Sequence, residues 1–331
     1  MIGGSSSGGG VALVVERPGV LLTVQDLGRA GRGLARLGVS PSGAMDPLAA
    51  RLGNALAGND PGAALLEVTG AGAVIALDGA RGARVALAGA DLDASVDGAS
   101  LPPGRAAVVP PGGVIRFGSR RRGARAYLAV HGGIAVARTL GSAATDLPAR
   151  IGGLDGSPLA AGARLPVGDG GAGSAGSPPA PSLATAAAGL AARWYEPPFR
   201  LRYVPGEDPR ALLLDGAGYA VTPRSDRSGY RLAGPPLPSA AGDGERLSEG
   251  VPPAAIQLPP DGQPILLMSD RQTVGGYPLL GAVIRADVPR AAQLWPGDRI
   301  TFAAIDGTEA AALARSQEED LRDAFAAAGS G

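Results

Sequence analysis

Short apolar runs, broken at close spacing by glycine and proline, predict a mainly β chain with short helices. Glycine occurs 54 times and proline 30 times in 331 residues. Between Ala64 and Val167 the runs Leu65–Val68, Ala73–Leu77, Arg84–Leu87, Ala106–Val109, Val114–Phe117 and Ala126–Val130 are separated by turns such as Asp97-Gly98 and Pro111-Gly112-Gly113. Spacing of this kind predicts a barrel or sandwich rather than a parallel α/β sheet. The length exceeds an ordinary single domain and predicts two lobes, or one large β-rich domain with an insert.

Residues 1–10 form a Gly/Ser-rich stretch that reads as a flexible leader. An N-terminal β-rich lobe is expected over residues 11–167, opening with Val11–Val15 and Val20–Val24. After the second run, Gln25-Asp26-Leu27-Gly28-Arg29 brings polar groups to a strand end, either as a solvated turn or as a site in which Asp26 and Arg29 bind substrate. Asp46-Pro47 is a helix start, an N-cap carboxylate followed by proline at the first helical position. The helix runs from Leu48 to Ala57 with Leu48, Leu52, Ala55 and Leu56 on one face, and Gly58 stops it. Asp46 therefore reads as a cap rather than a catalytic acid. Ser42 and Gly43, just upstream, could help hold an anionic group.

Residues 168–190, rich in Gly, Ala, Ser and Pro, read as a disordered linker. A C-terminal β lobe is expected over residues 191–306, with short helices begun by Asp208-Pro209 and by Asp287 with Pro289. Residues 307–331 are expected to be helical or disordered.

Composition narrows the chemistry. The chain has no cysteine, no lysine and one histidine, and its 30 basic residues are all arginine. Thiol nucleophiles, a lysine Schiff base, a Walker lysine and a biotinyl lysine are thereby excluded within this chain. His131 ends an apolar strand and reads as a structural or rim histidine; no metal site is expected. Formal net charge is zero, so nucleic acid and anionic membranes are not expected partners. No run approaches the roughly 18 apolar residues of a membrane helix, and a cytoplasmic protein is expected.

The stretch most charged with function is Met268–Pro278, MSDRQTVGGYP. Ala255–Leu258 and Ile265–Met268 flank the turn Pro259-Pro260-Asp261-Gly262 and predict a hairpin, and Gly281–Ile284 predicts a further strand. The intervening loop carries Asp270, Gln272, Thr273, Gly275, Gly276 and Tyr277. It is echoed by Ser225-Asp226-Arg227-Ser228-Gly229-Tyr230, again an Asp-Arg pair followed by Gly-Tyr. Arginine, carboxylates, tyrosine and backbone N–H groups suit carboxyl or phosphoryl transfer to an amide nitrogen or oxygen, or binding without turnover.

The runs PGVLLTVQDLGRAGR, GVSPSGAMDP, GADLDASVDG, SDRSGYRL and SEGVPPAAIQLPPDGQPILLMSDRQTVGGYP, in this order, resemble the biotin-dependent carboxyltransferase family, also called allophanate hydrolase subunit 2. The family includes the C component of ATP-dependent 5-oxoprolinase, the carboxyltransferase region of urea carboxylase, and an antagonist of a sporulation-kinase inhibitor. The resemblance implies cyclophilin-like β-barrel lobes and a partner of the 5-oxoprolinase B-component/allophanate hydrolase subunit 1 type, with a third, A-type protein in the oxoprolinase branch. It implies site roles for Asp226, Arg227, Tyr230, Glu249, Gln257, Asp270, Gln272, Thr273, Gly275, Gly276 and Tyr277. Of these, Arg227, Asp270, Glu249 and Tyr277 are the catalytic candidates: Arg227 gripping a carboxylate or carbonyl oxygen, Asp270 or Glu249 handling an amide proton. Many members carry a basic residue after GGYP, where this chain has Leu279, so an anion contact there is lost or supplied elsewhere.

The expected function is that of the C component in an ATP-dependent 5-oxoprolinase-type complex that opens a lactam. The alternatives are the carboxyltransferase component of a urea or amide carboxylase using carboxybiotin from another chain, and a binding antagonist without turnover. ATP is expected to act through the complex, and no cofactor is expected to be covalently bound.

Overall fold

A computed structural model describes residues 10–169 except 30 and 32, then 195, 197–238 and 247–329. Residues 1–9 of the expected leader and residues 170–190 of the expected linker lie outside the described residues.

The chain is mainly β with short helices. In the N-terminal lobe, a six-stranded sheet runs Arg164–Pro166, Ala12–Pro18, Ala73–Asp78, Val114–Phe117, Ala94–Val96, Ala99–Ser100. A five-stranded sheet runs Leu21–Gln25, Leu65–Thr69, Arg122–Val130, Ala83–Asp91, Arg105–Val109. Alternation makes one face of each sheet apolar, so Leu13, Val15 and Ile75 from the first meet Leu66, Leu87 and Leu128 from the second. This lobe is thus a two-sheet sandwich, one of the two forms that the spacing of its runs predicts, where the resemblance implied a barrel.

The helix Pro47–Ala57 covers the other face of the five-stranded sheet, packing Leu48, Leu52 and Leu56 on Leu65, Ala86 and Tyr127. The strand Arg122–Val130 is therefore buried on both faces from Gly123 onward, and its run Ala126–Val130 is apolar without alternation. Asp46 caps the helix as expected, its Oδ1 accepting from Ala49 N at 2.9 Å.

The C-terminal lobe is a closed barrel in the order Phe199–Pro205, Leu279–Val283, Ala255–Gln257, Ile265–Leu267, Gly229–Ala233, Gly218–Val221, Arg299–Ala304. The last strand returns parallel to the first, pairing Leu201 with Phe302, so the barrel has no free edge. Tyr203 and Tyr219 meet Phe302 edge-on inside it. The expected hairpin is present, with Ile256 opposite Leu266. Asp287 does not cap the helix Val288–Ala292; its carboxylate instead accepts from Arg202 N at 2.7 Å and from the Arg202 guanidinium at 2.5 and 2.9 Å. An arginine on the adjacent strand outcompetes the helix's own N–H groups for the carboxylate.

Contacts away from the barrel's Asp-Arg turns help hold the lobes together. The C-terminal helix Gly307–Gly329 returns to the N-terminal lobe, where Leu321 and Ala324 join the cluster around Leu52 and Arg51 grips Glu318 at 2.7 and 2.9 Å. Gln293 of the barrel lobe reaches across: its Oε1 accepts from Ala124 N and Arg125 N at 2.9 and 3.0 Å, and its Nε2 donates to Asp46 at 2.8 Å. Among the described residues no helix is long and apolar enough to cross a membrane.

Candidate functional site

The two Asp-Arg turns lie side by side because the strands that end in them are neighbours in the barrel. Gly229–Ala233 pairs with Ile265–Leu267, and beyond it Met268 N donates to Ser228 O at 2.9 Å and Asp270 N to Arg227 O at 3.0 Å. The turns then exchange partners. Arg227 from one grips Asp270 of the other through Nε and Nη2, each at 2.9 Å. Nη2 also donates to Gly43 O at 2.7 Å, and Nη1 donates to Glu67 of the N-terminal lobe.

Both carboxylates are held from further sides. Ser42 Oγ donates to Asp270 at 2.8 Å, and Glu67 Oε2 accepts from Met45 N at 2.9 Å and from Tyr127 OH at 2.8 Å. Gly43 must be glycine for this clasp: φ is +91° and a Cβ would come within 2.7 Å of Gly28 N. Arg125 extends the network, donating to Tyr230 OH at 2.8 Å and Ala292 O at 2.6 Å. Burial opposes the charge on Arg227, yet Asp270 and Glu67 outweigh it and raise its pKa above the ordinary arginine value. Asp46, beside this network, is fully enclosed, and burial raises its pKa to about 6 against the hydrogen bonds from Ala49 N, Tyr195 and Gln293.

Above the clasp opens a cavity of about 660 Å³ between the lobes. Thr69, Arg125 and Leu147 line it from the N-terminal lobe, and Arg227, Tyr230 and Trp295 from the barrel lobe. Its walls are mainly apolar, but Thr69 Oγ1 and Arg125 Nε are buried without a hydrogen-bond partner among the described residues. Arg125 Nε approaches Glu67 only to 3.8 Å. An apolar crevice with a few unspent polar groups is the ordinary form of a small-molecule site.

The candidate residues fall into three places. Asp226, Arg227, Tyr230 and Asp270 line the cavity, with Ser42 and Gly43 bonded to its floor. Asp226 is exposed, and its carboxylate accepts from Ser228 N at 2.7 Å as a turn cap. Glu249, Gln257, Gln272, Thr273, Gly275, Gly276 and Tyr277 gather elsewhere, around a ribbon in which Glu249-Gly250 pairs with Val274-Gly275. There Gln272 Nε2 donates to Gln257 Oε1 at 3.3 Å, Glu249 is exposed, and Tyr277 is 44% exposed. Leu279 begins the next strand and packs on Val251 and Ala255. Asp26 and Arg29 form a third group. Asp26 accepts from Gly28 N, Ser142 Oγ and Ala143 N at 2.7, 2.5 and 2.8 Å, and Arg29 donates to Thr139 O and Ala144 O at 3.2 and 2.8 Å.

Glu67, Thr69, Arg125, Leu147 and Trp295 are absent from the sequence-based candidates. Glu67 carried a signal, a lone carboxylate inside the apolar run Leu65-Leu66-Glu67-Val68; a buried charge in a strand demands a partner.

Fold and site together define a two-lobed β protein with a small-molecule cavity floored by an arginine–carboxylate clasp. The model of the carboxyltransferase domain, subdomain A and B, matches residues 37–304, and the chain belongs to that family. It is 35% identical to the C component of 5-oxoprolinase from Escherichia coli over 92% of this chain and 95% of that one. The crystal structure of TTHA0988 superposes with a TM-score of 0.75 at 36% identity, covering 90% of this chain and 57% of that one. The Kluyveromyces lactis urea amidolyase superposes at 0.82 with 26% identity, covering 97% of this chain and 20% of that one. The chain thus spans little more than half of the one solved protein and a fifth of the other.

Proposed function

We propose that this chain is the carboxyltransferase component of a multi-subunit enzyme acting on an amide or urea nitrogen, and that the interlobe cavity receives the acceptor. The cavity over the Arg227–Asp270–Glu67 clasp carries this reading: its walls are mainly apolar, and the polar side chains that line it are few and fixed by the clasp.

The residues divide the work. Arg227 is saturated by Asp270, Glu67 and Gly43 O, so it acts as a strut that holds the floor rather than as a free grip. Thr69 and Arg125 line the cavity, and a shift of their side chains on binding would bring the enclosed Thr69 hydroxyl and Arg125 Nε–H to an acceptor's carbonyl oxygen and fix its orientation. Arg125, charged and buried, strengthens as oxygen gains negative charge in the transition state. Carboxybiotin, when bound, supplies an activated carboxyl group. The apolar wall of Leu147, Leu294 and Trp295 would take the hydrocarbon part of the biotin ring, delivered by a partner because this chain has no lysine to carry it. For the same reason ATP use belongs to a partner of the oxoprolinase B or A type.

The carboxyltransferase reading is favoured over lactam opening by the family model, which is of a carboxyltransferase domain, and by the likeness to the Kluyveromyces lactis urea carboxylase. ATP-dependent opening of 5-oxoproline is the second reading, favoured by near full-length similarity to the C component of 5-oxoprolinase. A cyclophilin-like identity for the barrel and a cytoplasmic location belong to the proposal too. The test is reconstitution with the partner subunits, measuring transfer of label from bicarbonate to urea and ATP-dependent loss of 5-oxoproline. Failure of both to depend on this chain would sink the enzyme reading.

A further inference from the structure

The exchange between the two Asp-Arg turns leaves one member over. Asp270 is taken by Arg227 and Asp226 caps its own turn, which leaves Arg271. Its side chain is only 5% exposed, yet its guanidinium makes no hydrogen bond, ion pair or ring contact among the described residues. Arg29, Arg125 and Arg227, equally buried, each donate to carbonyls, a hydroxyl or carboxylates. Arg271 Nε is wholly enclosed, while Nη1 and Nη2 retain contact with solvent. Burial alone acts on its charge, lowering its pKa, with no acidic group near enough to oppose that.

The strand paired with the one that runs toward Arg271 carries a second donor without an acceptor among the described residues. Gln257, 1% exposed, has its Oε1 taken by Gln272, the residue after Arg271, and its Nε2 is buried without an acceptor. Gly275 closes on these amides: a Cβ there would fall 2.6 Å from Gln257 Nε2 and 3.1 Å from Gln272 Nε2. Every unmet group named here is a donor and one is a cation. A metal ion would be repelled, and an apolar ligand would leave the guanidinium without a counter-charge. What they lack is an oxyanion.

We propose that Arg271 is an anion-binding residue whose ligand is a small carboxylate or bicarbonate monoanion. One guanidinium with no neighbouring cation balances a single negative charge, and its free Nη pair matches the two oxygens of a planar carboxylate. The site is separate from the interlobe cavity, whose lining does not include Arg271.

The test uses the isolated full chain and requires no turnover, so it stands or falls apart from the carboxyltransferase reading. In protein carrying ¹⁵N-labelled arginine, the Arg271 Nε–H resonance is assigned by its loss in Arg271→Met and in Arg271→Lys, the second guarding against misfolding of the first. Sodium acetate and sodium bicarbonate are titrated against chloride at constant ionic strength. The resonance is expected to move saturably with acetate or bicarbonate and not with chloride, and either anion is expected to raise the melting temperature of the wild type but of neither variant. A resonance indifferent to both anions, or an equal rise in the variants, overturns the proposal.

Discussion

Replacing Arg227 with methionine keeps the apolar stem and removes the charge that floors the cavity. Four hydrogen bonds are lost: two to Asp270, one to Glu67 and one to Gly43 O. Ser42 remains on Asp270, and Met45 N and Tyr127 OH remain on Glu67, so each carboxylate stays partly satisfied. Counted singly, charge-assisted bonds at about 1.5–3 kcal/mol would sum beyond what one site delivers, because they share one desolvation cost. Breaking a buried ion pair from one side costs about 3–5 kcal/mol, and that is the expected loss for Arg227→Met. Arg227→Lys restores the charge but not the fork, and about half the loss is expected to return. Adding Asp270→Asn to Arg227→Met should show coupling of about 1–3 kcal/mol. Urea unfolding followed by tryptophan fluorescence and by circular dichroism reads all three. A loss under about 1 kcal/mol, or full additivity with Asp270→Asn, would refute the clasp as the joint between lobes.

Other changes test other parts. Asp46 holds its proton more tightly in the folded chain, at about 6 against an ordinary 3.8. Its contribution is therefore full below about pH 4 and lost as pH rises to about 6, some 3 kcal/mol in all; Asp46→Asn should flatten that part of the stability–pH curve. Gly43→Ala, forced against Gly28 at positive φ, should cost about 1–3 kcal/mol in urea unfolding. Arg271→Met should raise the melting temperature of the ligand-free chain, since it removes a buried charge that nothing balances. Thr69→Val, which removes an unpaired hydroxyl at constant shape, should leave stability within about 1 kcal/mol and raise KM for the acceptor in the reconstituted enzyme.

Local rules make much of the chain legible from its residues alone. Asp46-Pro47 starts a helix because a carboxylate and a proline suit the first turn wherever they occur, and Pro259–Gly262 turns a hairpin for equally local reasons. The strands Ala94–Val96, Ala99–Ser100 and Arg164–Pro166 are too short to show a period. Asp287 has the sequence context of a cap, and only the barrel brings Arg202 to it. The site follows the same division. Asp226-Arg227 and Asp270-Arg271 look alike in sequence, but pairing of their strands lets one arginine reach the other turn's carboxylate and leaves Arg271 alone. Glu67 stands out as a lone carboxylate in an apolar run, but strand pairing is what brings Arg125 beside it, and lobe packing is what brings Arg227 to it.

The most direct test of the interlobe cavity as the acceptor site is a variant that fills it without disturbing the clasp. Ser228 lines the cavity, and its hydroxyl makes no hydrogen bond among the described residues. With partner subunits present, Ser228→Trp is expected to fold, to join the complex, and to lose bicarbonate-to-acceptor transfer at least about tenfold. Transfer at the wild-type rate from a complex containing the folded Ser228→Trp chain would place the chemistry elsewhere.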